Sequence, residues 1–214
     1  MINRMLALCV VMISACTQSK NNTSTTDTLP YYSEASFTPQ WFSTDYELPT
    51  DFHQIPPFRL INQTGQTITE QSVEGKILIV DFFFASCPGI CPKMTTNMSL
   101  LQQEYLPDTM IVLLSHSVTP DRDSVSVLRQ YADNYKVIDG KWHLLTGDRT
   151  QIYELGRNHY FVEENLGRSK SPDDFLHTEN FILVDQNRHI RGIYNGLNKS
   201  SLNQLIADIK ILKQ

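Results

Sequence analysis

The chain has 214 residues, of which 41% are hydrophobic and 10% aromatic, so it can bury the core of one ordinary globular domain. Its formal net charge of -5 at pH 7 comes without a long basic run. This balance excludes nucleic acid as an expected partner, because phosphate binding requires clustered lysine and arginine side chains.

The N-terminus has the pattern of a bacterial lipoprotein signal. Arg4 precedes a short apolar stretch, residues 5–13, which is too short to cross a bilayer. The stretch ends in Ile13-Ser14-Ala15-Cys16, which resembles a lipobox: a branched aliphatic residue and two small residues before a lipidated cysteine. An ordinary secretory signal is the alternative. We expect residues 1–15 to be a signal peptide and Cys16 to carry the lipid. The protein would then face the periplasm or the cell exterior from a membrane of the bacterial cell envelope.

Residues 16–48 are predicted to connect this lipidated cysteine to the domain as a tether and arm. Residues 17–28 are rich in Ser, Thr, Asn and Gln and show no hydrophobic periodicity, which is typical of a flexible linker. Residues 29–48 contain several prolines and aromatic residues and are expected to pack on the domain, which we assign to residues 49–214. Export also affects the cysteines, because a dithiol outside the cytoplasm tends to oxidise unless it is reduced or bound to metal.

The domain begins with a predicted hairpin and continues with alternating strands and helices. Residues 58–62 and 66–69 flank the turn Gln63-Thr64-Gly65. Residues 77–84 are almost all apolar, as in a strand that is covered on both faces. The sequence then predicts a helix from Cys91, a buried strand over 110–114, a helix capped by Asp123, a helix over 150–158, strands over 181–185 and 190–194, and a helix from about Ser200.

This order of elements is that of an α/β protein with a thioredoxin-like fold, a central mixed sheet flanked by helices, with an N-terminal β-hairpin extension. Strand–helix–strand units imply parallel central strands, and the late hairpin adds antiparallel ones. Met94 and Met98 share a helical stripe with Leu101 and Tyr105, so we expect both methionines in the core rather than at a metal. His116, at the end of a strand, is also expected to be structural.

The sequence Cys87-Pro88-Gly89-Ile90-Cys91-Pro92 joins the buried strand to the helix. Free N–H groups and the helix dipole stabilise thiolates in the first helical turn, where Cys91 is expected. Residues four apart on a helix lie about 6 Å apart on one face, so both sulfurs can bind one soft metal or form a disulfide. The spacing does not decide between metal and redox functions, although three intervening residues favour metal modestly. A purely structural disulfide is disfavoured, because a disulfide that closes so short a loop stabilises the folded protein little.

His177, just before the strand over 181–185, is the candidate third ligand. In a thioredoxin-like domain this loop lies beside the N-terminus of the first helix. Two thiolates and one imidazole form a soft site of low coordination number, which suits Cu(I), and the imidazole also permits Cu(II). Zinc is an alternative, although a structural zinc site usually has a fourth protein ligand. A histidine without any ligand role is the other alternative.

Together these motifs resemble those of the Sco/SenC copper chaperones of cytochrome c oxidase assembly, over roughly residues 52–212. The Cys-Pro-x-x-Cys-Pro motif at Cys87 is the family's signature, and His177 stands where the family has its copper-binding histidine. Two further segments are similar to family motifs: Ser117-Val118-Thr119-Pro120-Asp121-Arg122-Asp123 to Ser-Val-Asp-Pro-x-Arg-Asp, and Leu144-Leu145-Thr146-Gly147 to the Leu-Thr-Gly element.

The chain departs from the family's pattern at three positions. Gly89 and Leu176 replace acidic residues, which removes negative charge near the expected metal site, and Thr119 replaces an aspartate. None of these changes removes an expected ligand. Residues 121–123 are expected to form a turn, a helix cap and a solvated ion pair.

The resemblance implies copper, as Cu(I) or Cu(II), bound by Cys87, Cys91 and His177. It implies a metallochaperone without turnover that delivers copper to the binuclear copper centre of the oxidase, reduces the cysteines of that centre, or does both. The implied partners are the copper-bearing oxidase subunit, a copper donor protein or thiol reductase, and the membrane through the lipid anchor. The alternative is an extracytoplasmic thiol–disulfide oxidoreductase or redox sensor that uses Cys87 and Cys91. His177 distinguishes the two hypotheses, because only the copper hypothesis needs it. A peroxide-reducing thiol protein is a weaker third hypothesis.

Overall fold

A mixed β-sheet forms the centre of the computed structural model, which describes residues 28–43, 45–162 and 175–214. The predicted signal peptide and Cys16 lie outside these residues. The strands are β1 (Arg59–Asn62), β2 (Thr67–Thr69), β3 (Ile77–Phe83), β4 (Ile111–Ser117), β5 (Trp142–Thr146), β6 (Asn180–Val184) and β7 (Ile190–Asn195). The helices are α1 (Cys91–Glu104), α2 (Val125–Tyr135), α3 (Arg149–Glu154) and α4 (Lys199–Leu212), with a 3-10 turn over Glu70–Val73 and a π-helical turn over Leu155–His159.

The strand order in the described sheet is β2-β1-β5-β4-β3-β6-β7. The three central strands are parallel, β6 runs antiparallel to β3, and the β1–β2 and β6–β7 hairpins form the two edges. Every residue of β3, β4 and β5 is buried, as the apolar sequence of β3 predicts. One core packs α1, α2 and α4 against the sheet, and a second core lies on the opposite face, under α3. The predicted α/β thioredoxin-like fold is therefore confirmed. None of the helices in the described ranges has the length and apolarity needed to cross a bilayer.

Several predicted elements differ from the structure. The strand expected over residues 110–114 runs instead over Ile111–Ser117, and Met110 before it is 40% exposed. Strand β5 was not predicted as a strand. The helix expected over residues 150–158 ends as an α-helix at Glu154 and continues as the π-helical turn, since its last residues bond five positions back.

The prediction that Asp123 caps α2 is wrong. The N-cap is Ser124, whose side-chain oxygen accepts a hydrogen bond from the backbone N–H of Val127. Asp123 is 1% exposed, so it is not part of a solvated ion pair either. Its carboxylate accepts hydrogen bonds from Ala85, Ser117 and Thr119 instead.

The beginning of the arm packs on the domain through Arg191, at the start of β7. The guanidinium Nε and Nη2 donate to the carbonyl oxygens of Pro30 and Leu29, at 3.0 and 2.6 Å. Its Nη1 donates to the carboxylate of Asp185 at 3.0 Å, and its central carbon lies 3.8 Å from the ring centroid of Tyr31. One buried arginine therefore satisfies two backbone carbonyls of the arm and one buried carboxylate of the domain.

Candidate dithiol site at the end of the central strand

Cys87 and Cys91 lie where β3 ends and α1 begins, as the sequence predicts. Cys91 is buried and is the first residue of α1, whereas Cys87 lies in the preceding loop and is partly exposed. Both cysteines are free thiols. The N-cap residue is Ile90, which has no side-chain acceptor, so the first backbone N–H groups of the helix are not capped by a side chain. These N–H groups are available to the sulfur of Cys87.

The two thiols differ strongly in acidity. Burial opposes the Cys87 thiolate, but hydrogen bonds from the Cys91 thiol and from the backbone N–H groups of Cys91, Gly89 and Ile90 outweigh it and lower the pKa of Cys87 below 9.0. Burial, followed by the hydrogen bond with Cys87, raises the pKa of Cys91 to about 12. Cys87 is therefore the thiolate that forms first, and Cys91 keeps its proton until a metal or a reaction at Cys87 removes it.

We expect iodoacetamide at pH 8 to alkylate Cys87 and to spare Cys91 in the reduced, metal-free protein. The reason is that the thiolate is the nucleophile, and only Cys87 has a lowered pKa and an exposed surface. Peptide mapping by mass spectrometry over a time course measures both rates. In urea the two cysteines should react at similar rates, which controls for their intrinsic reactivity. Equal or faster modification of Cys91 in the folded protein would contradict this difference in acidity.

His177 is exposed and lies in the segment that leads into β6. The antiparallel register pairs Leu78 of β3 with Val184 of β6, and Val80 with Ile182. If this register is continued beyond the last paired residues, His177 comes level with Ala85, two residues before Cys87. The fold therefore brings the two predicted parts of the site to the same end of the sheet, although they are far apart in sequence.

Two apolar contacts hold the segment next to His177. The ring of Phe175 packs edge-on against Phe84, with 5.2 Å between the ring centroids. Leu176 is 1% exposed and lies over Gly156 in the π-helical turn, where a Cβ would be 2.7 Å from the Leu176 Cδ2 atom. Gly156 thus permits a close approach that no other residue type would allow without displacement.

Within the ranges that the structure describes, no group of three or more His, Cys, Asp and Glu side chains is arranged to hold a metal ion. The structure thus brings Cys87 and Cys91 together and places the segment of His177 beside their loop. It does not gather the three side chains around one point. A site with all three ligands requires the imidazole to move toward the sulfurs.

Asp81 is a residue near the site that the sequence analysis missed. It lies in β3, it is 1% exposed, and its Oδ1 has no hydrogen-bond partner within the described part of the chain. Burial raises the pKa of Asp81 to about 7, against an opposing hydrogen bond with Ser115. Its negative charge also contributes to the raised pKa of Cys91. The signal in the sequence was a single carboxylate inside the apolar run of β3.

The other candidates proved to be structural, as predicted. Met94 and Met98 are both buried in the core that contains α1. His116 is completely buried and stacks on Phe82, with 4.9 Å between the ring centroids. Burial lowers the pKa of His116 to about 4, so it is a neutral core residue at pH 7.

Comparison with known proteins relates this geometry to a family and to solved structures. A family model described as SCO1/SenC matches residues 47–214. A SCO1/SenC family lipoprotein from Bacillus anthracis is 26% identical over 76% of this chain and 96% of its own, with a TM-score of 0.62. BsSco, described with a disulfide switch and as a member of the Sco family of cytochrome c oxidase assembly proteins, is 27% identical over 76% of this chain and 94% of its own, with a TM-score of 0.60. Yeast Sco1, solved with copper bound, is 23% identical over 74% of this chain and 89% of its own, with a TM-score of 0.56, a likeness that shows the fold alone.

Proposed function

Because the matched residues 47–214 cover most of its length, this chain belongs to the SCO1/SenC family, and from that premise we propose that it binds copper and acts in cytochrome c oxidase assembly. The observation that carries the proposal is the dithiol at the N-terminus of α1, in which one thiol is acidic and reachable and the other is buried. Such a pair can accept a soft cation and release it again. The description of BsSco as an assembly protein of the oxidase supports the same role.

We assign the copper ligands to Cys87, Cys91 and His177. Thiolates are the preferred ligands of Cu(I), and an added imidazole extends the site to Cu(II). The stabilised thiolate of Cys87 fits this chemistry, since a metal ligand must be deprotonated. The segment of His177 fits it by position, because Phe175 packs against Phe84 at the end of the strand that leads to Cys87, and Leu176 packs over Gly156.

Transfer to a client follows from the different exposure of the two sulfurs. An incoming thiolate from the copper-bearing subunit of the oxidase can reach Cys87, which is partly exposed, while Cys91 stays buried and holds the ion. Exchange of one ligand at a time keeps the ion bound throughout the transfer. A copper donor protein would load the site by the same exchange in reverse.

The second candidate function is reduction of a client disulfide, and the same difference in acidity favours it. The Cys87 thiolate attacks one client sulfur, which forms a mixed disulfide and releases the other client sulfur as a thiolate. Cys91 then gives up its proton and attacks Cys87, which closes an intramolecular disulfide and releases the second client thiolate. The client gains two electrons and this protein loses two, so a thiol reductase must restore the dithiol. The disulfide switch described for BsSco is consistent with such a cycle.

We also propose that Cys16 anchors the protein to the membrane as a lipoprotein. The lipobox pattern supports this anchor, and so does the description of the B. anthracis structure as a lipoprotein. Mass spectrometry of the protein purified from membranes tests it. A diacylglycerol on Cys16 is expected, and an N-terminus that lacks it would contradict the anchor.

Copper binding to the reduced domain, from residue 29 onward, tests the function and the place of His177 together. We expect one copper per chain in the wild type, and about a hundredfold weaker Cu(II) binding in His177→Ala, on the order of 3 kcal/mol for one ligand. The control is His159→Ala, which removes a half-buried imidazole that is not among the proposed ligands. Negligible copper binding in the wild type, or unchanged binding in His177→Ala, would refute the three-ligand site. Dithiol–disulfide cycling that survives His177→Ala would then favour the oxidoreductase.

A further inference from the structure

The carboxylate of Asp123 joins the dithiol loop to the loop that follows β4. Its Oδ2 atom accepts three hydrogen bonds: from the backbone N–H of Ala85 at 3.1 Å, from Ser117 Oγ at 2.6 Å and from Thr119 Oγ1 at 3.0 Å. Asp123 is 1% exposed and Ser117 is completely buried. One oxygen atom at the end of the central strands therefore holds two segments that are 30 or more residues apart in sequence.

A buried carboxylate is stable only when hydrogen bonds replace its lost water. Two of the three donors, Ser117 at the end of β4 and Thr119 in the loop after it, belong to the segment that leads to Asp123. They compensate the buried charge locally and do not reach the dithiol. The third donor, the N–H of Ala85, is the one contact among the three that lies on the dithiol loop, two residues before Cys87.

Ala85 lies inside a turn that ends at Cys87. The N–H of Cys87 donates to the carbonyl of Phe84 at 3.2 Å, which closes the turn. The strand before it is fixed by a hydrogen bond from Val118 N–H to the Phe83 carbonyl at 2.8 Å. Between these two backbone contacts, the hydrogen bond from the Ala85 N–H to Asp123 ties the turn to the loop that follows β4. The direction in which Cys87 leaves the strand depends on this turn.

We propose that Asp123 is a positioning residue for the dithiol: it fixes Ala85, and through Ala85 it sets where the Cys87 sulfur lies relative to Cys91. The inference rests on the proposed function, because the sulfur-to-sulfur geometry matters most when both sulfurs bind one ion. Hydrogen bonds to an ionised acceptor are about twice as strong as neutral ones, so the charge of Asp123 is well suited to hold a single backbone N–H. Misplacing a ligand by a fraction of an ångström weakens a metal site that requires two converging thiolates.

The experiment compares Asp123→Ala and Asp123→Asn with the wild type. The matched control is Asp121→Ala, the same substitution at an exposed aspartate of the same turn. Three quantities are measured on the reduced domain: hydrogen exchange of the Ala85 amide by NMR, Cu(I) affinity by competition with a chelator, and Tm. We expect Asp123→Ala to accelerate Ala85 exchange at least tenfold and to weaken Cu(I) binding about tenfold. We expect Asp123→Asn, whose carbonyl still accepts hydrogen bonds, to show about threefold changes in both, and Asp121→Ala to show none.

A purely structural role would lower Tm and accelerate Ala85 exchange in Asp123→Ala without changing Cu(I) affinity, and that result overturns the proposal. If Asp123→Ala does not fold, the comparison of Asp123→Asn with the wild type decides, and unchanged exchange and affinity in that variant also overturn it. Failure of the proposed function gives a different result, since the wild type itself would then bind no copper. In that case the equilibrium of the dithiol with glutathione is the readout: a shift of at least threefold in Asp123→Asn supports the positioning role, and no shift overturns it.

Discussion

We expect Cys91→Ser to lower the Cu(I) affinity by about three orders of magnitude, which is equivalent to roughly 4 kcal/mol. A serine hydroxyl has nearly the size of the thiol but provides no soft anionic ligand, so the ion keeps only one thiolate. Competition with a Cu(I) chelator at pH 7.5 measures the loss. The matched control is Met98→Leu, which removes a buried sulfur from the same helix and should leave the affinity unchanged, because Met98 is a core residue. A similar loss in both variants would show that helix stability, rather than ligation, controls binding.

The same site gives copper affinity a definite pH dependence. The pKa of Cys87 is lowered by its hydrogen bonds, one of them from the Cys91 thiol, whereas burial raises the pKa of Cys91 to about 12. Copper must therefore displace the Cys91 proton at any pH below that value. Each proton released makes the affinity fall up to about tenfold for every unit by which the pH decreases. We therefore expect wild-type affinity to weaken steadily from pH 8 to pH 6. Affinity that does not change over this range would contradict thiolate ligation.

Asp81→Asn should stabilise the protein at pH 8 by roughly 2–3 kcal/mol and destabilise it by about 1 kcal/mol near pH 4. The folded protein raises the pKa of Asp81 to about 7, whereas the unfolded chain has the ordinary value of 3.8. Between these values the unfolded chain loses the proton while the folded protein keeps it. The free energy of unfolding therefore falls by about 1.4 kcal/mol per pH unit as the pH rises toward 7, and the full penalty of about 4 kcal/mol remains above that. A buried amide without complete hydrogen bonding lowers this gain in stability by about 1–2 kcal/mol.

Urea unfolding of the reduced, metal-free protein at pH 4, 6 and 8 measures this difference. The exposed Asp121→Asn variant is the control, because a solvated carboxylate has no such penalty to remove. A gain for Asp81→Asn that grows with pH supports a charge buried at a cost. Equal destabilisation at all three pH values would instead mean that the Asp81 carboxylate has hydrogen bonds that the amide cannot replace.

The sequence predicted those elements whose pattern is local. The β3 strand is apolar apart from Asp81, and the β6–β7 hairpin has two largely apolar runs around a polar turn, so period and turn residues were sufficient. Strand β5 has only five residues and includes His143, and a short apolar run of this kind is ambiguous without its partners. It becomes a strand because β4 pairs with it in parallel and β1 pairs with it on the other side.

The position of the two cysteines was predicted, but the contacts around them were predicted only in part. Cys87 and Cys91 are neighbours in sequence, so their position before a helix could be read from the motif. The hydrogen bond between Asp123 and Ala85 could not be predicted in this way. An aspartate beside a serine at the start of a helix is typical of a cap, and Ala85 is 38 residues away in sequence. Asp81 shows the same limit, since burial of a charge is decided by the strands on either side of it.

The contacts of Arg191 hold the beginning of the arm at the end of the sheet opposite the dithiol. Arg191 follows Ile190, which pairs with Val184, and Val184 pairs with Leu78 near the beginning of β3. The arm therefore leaves the domain at one end of the sheet, while Cys87 follows the other end, about 17 Å further along the five residue steps from Leu78 to Phe83. If a membrane anchor precedes the arm, the end of the domain that carries the thiols would lie on the side away from the bilayer.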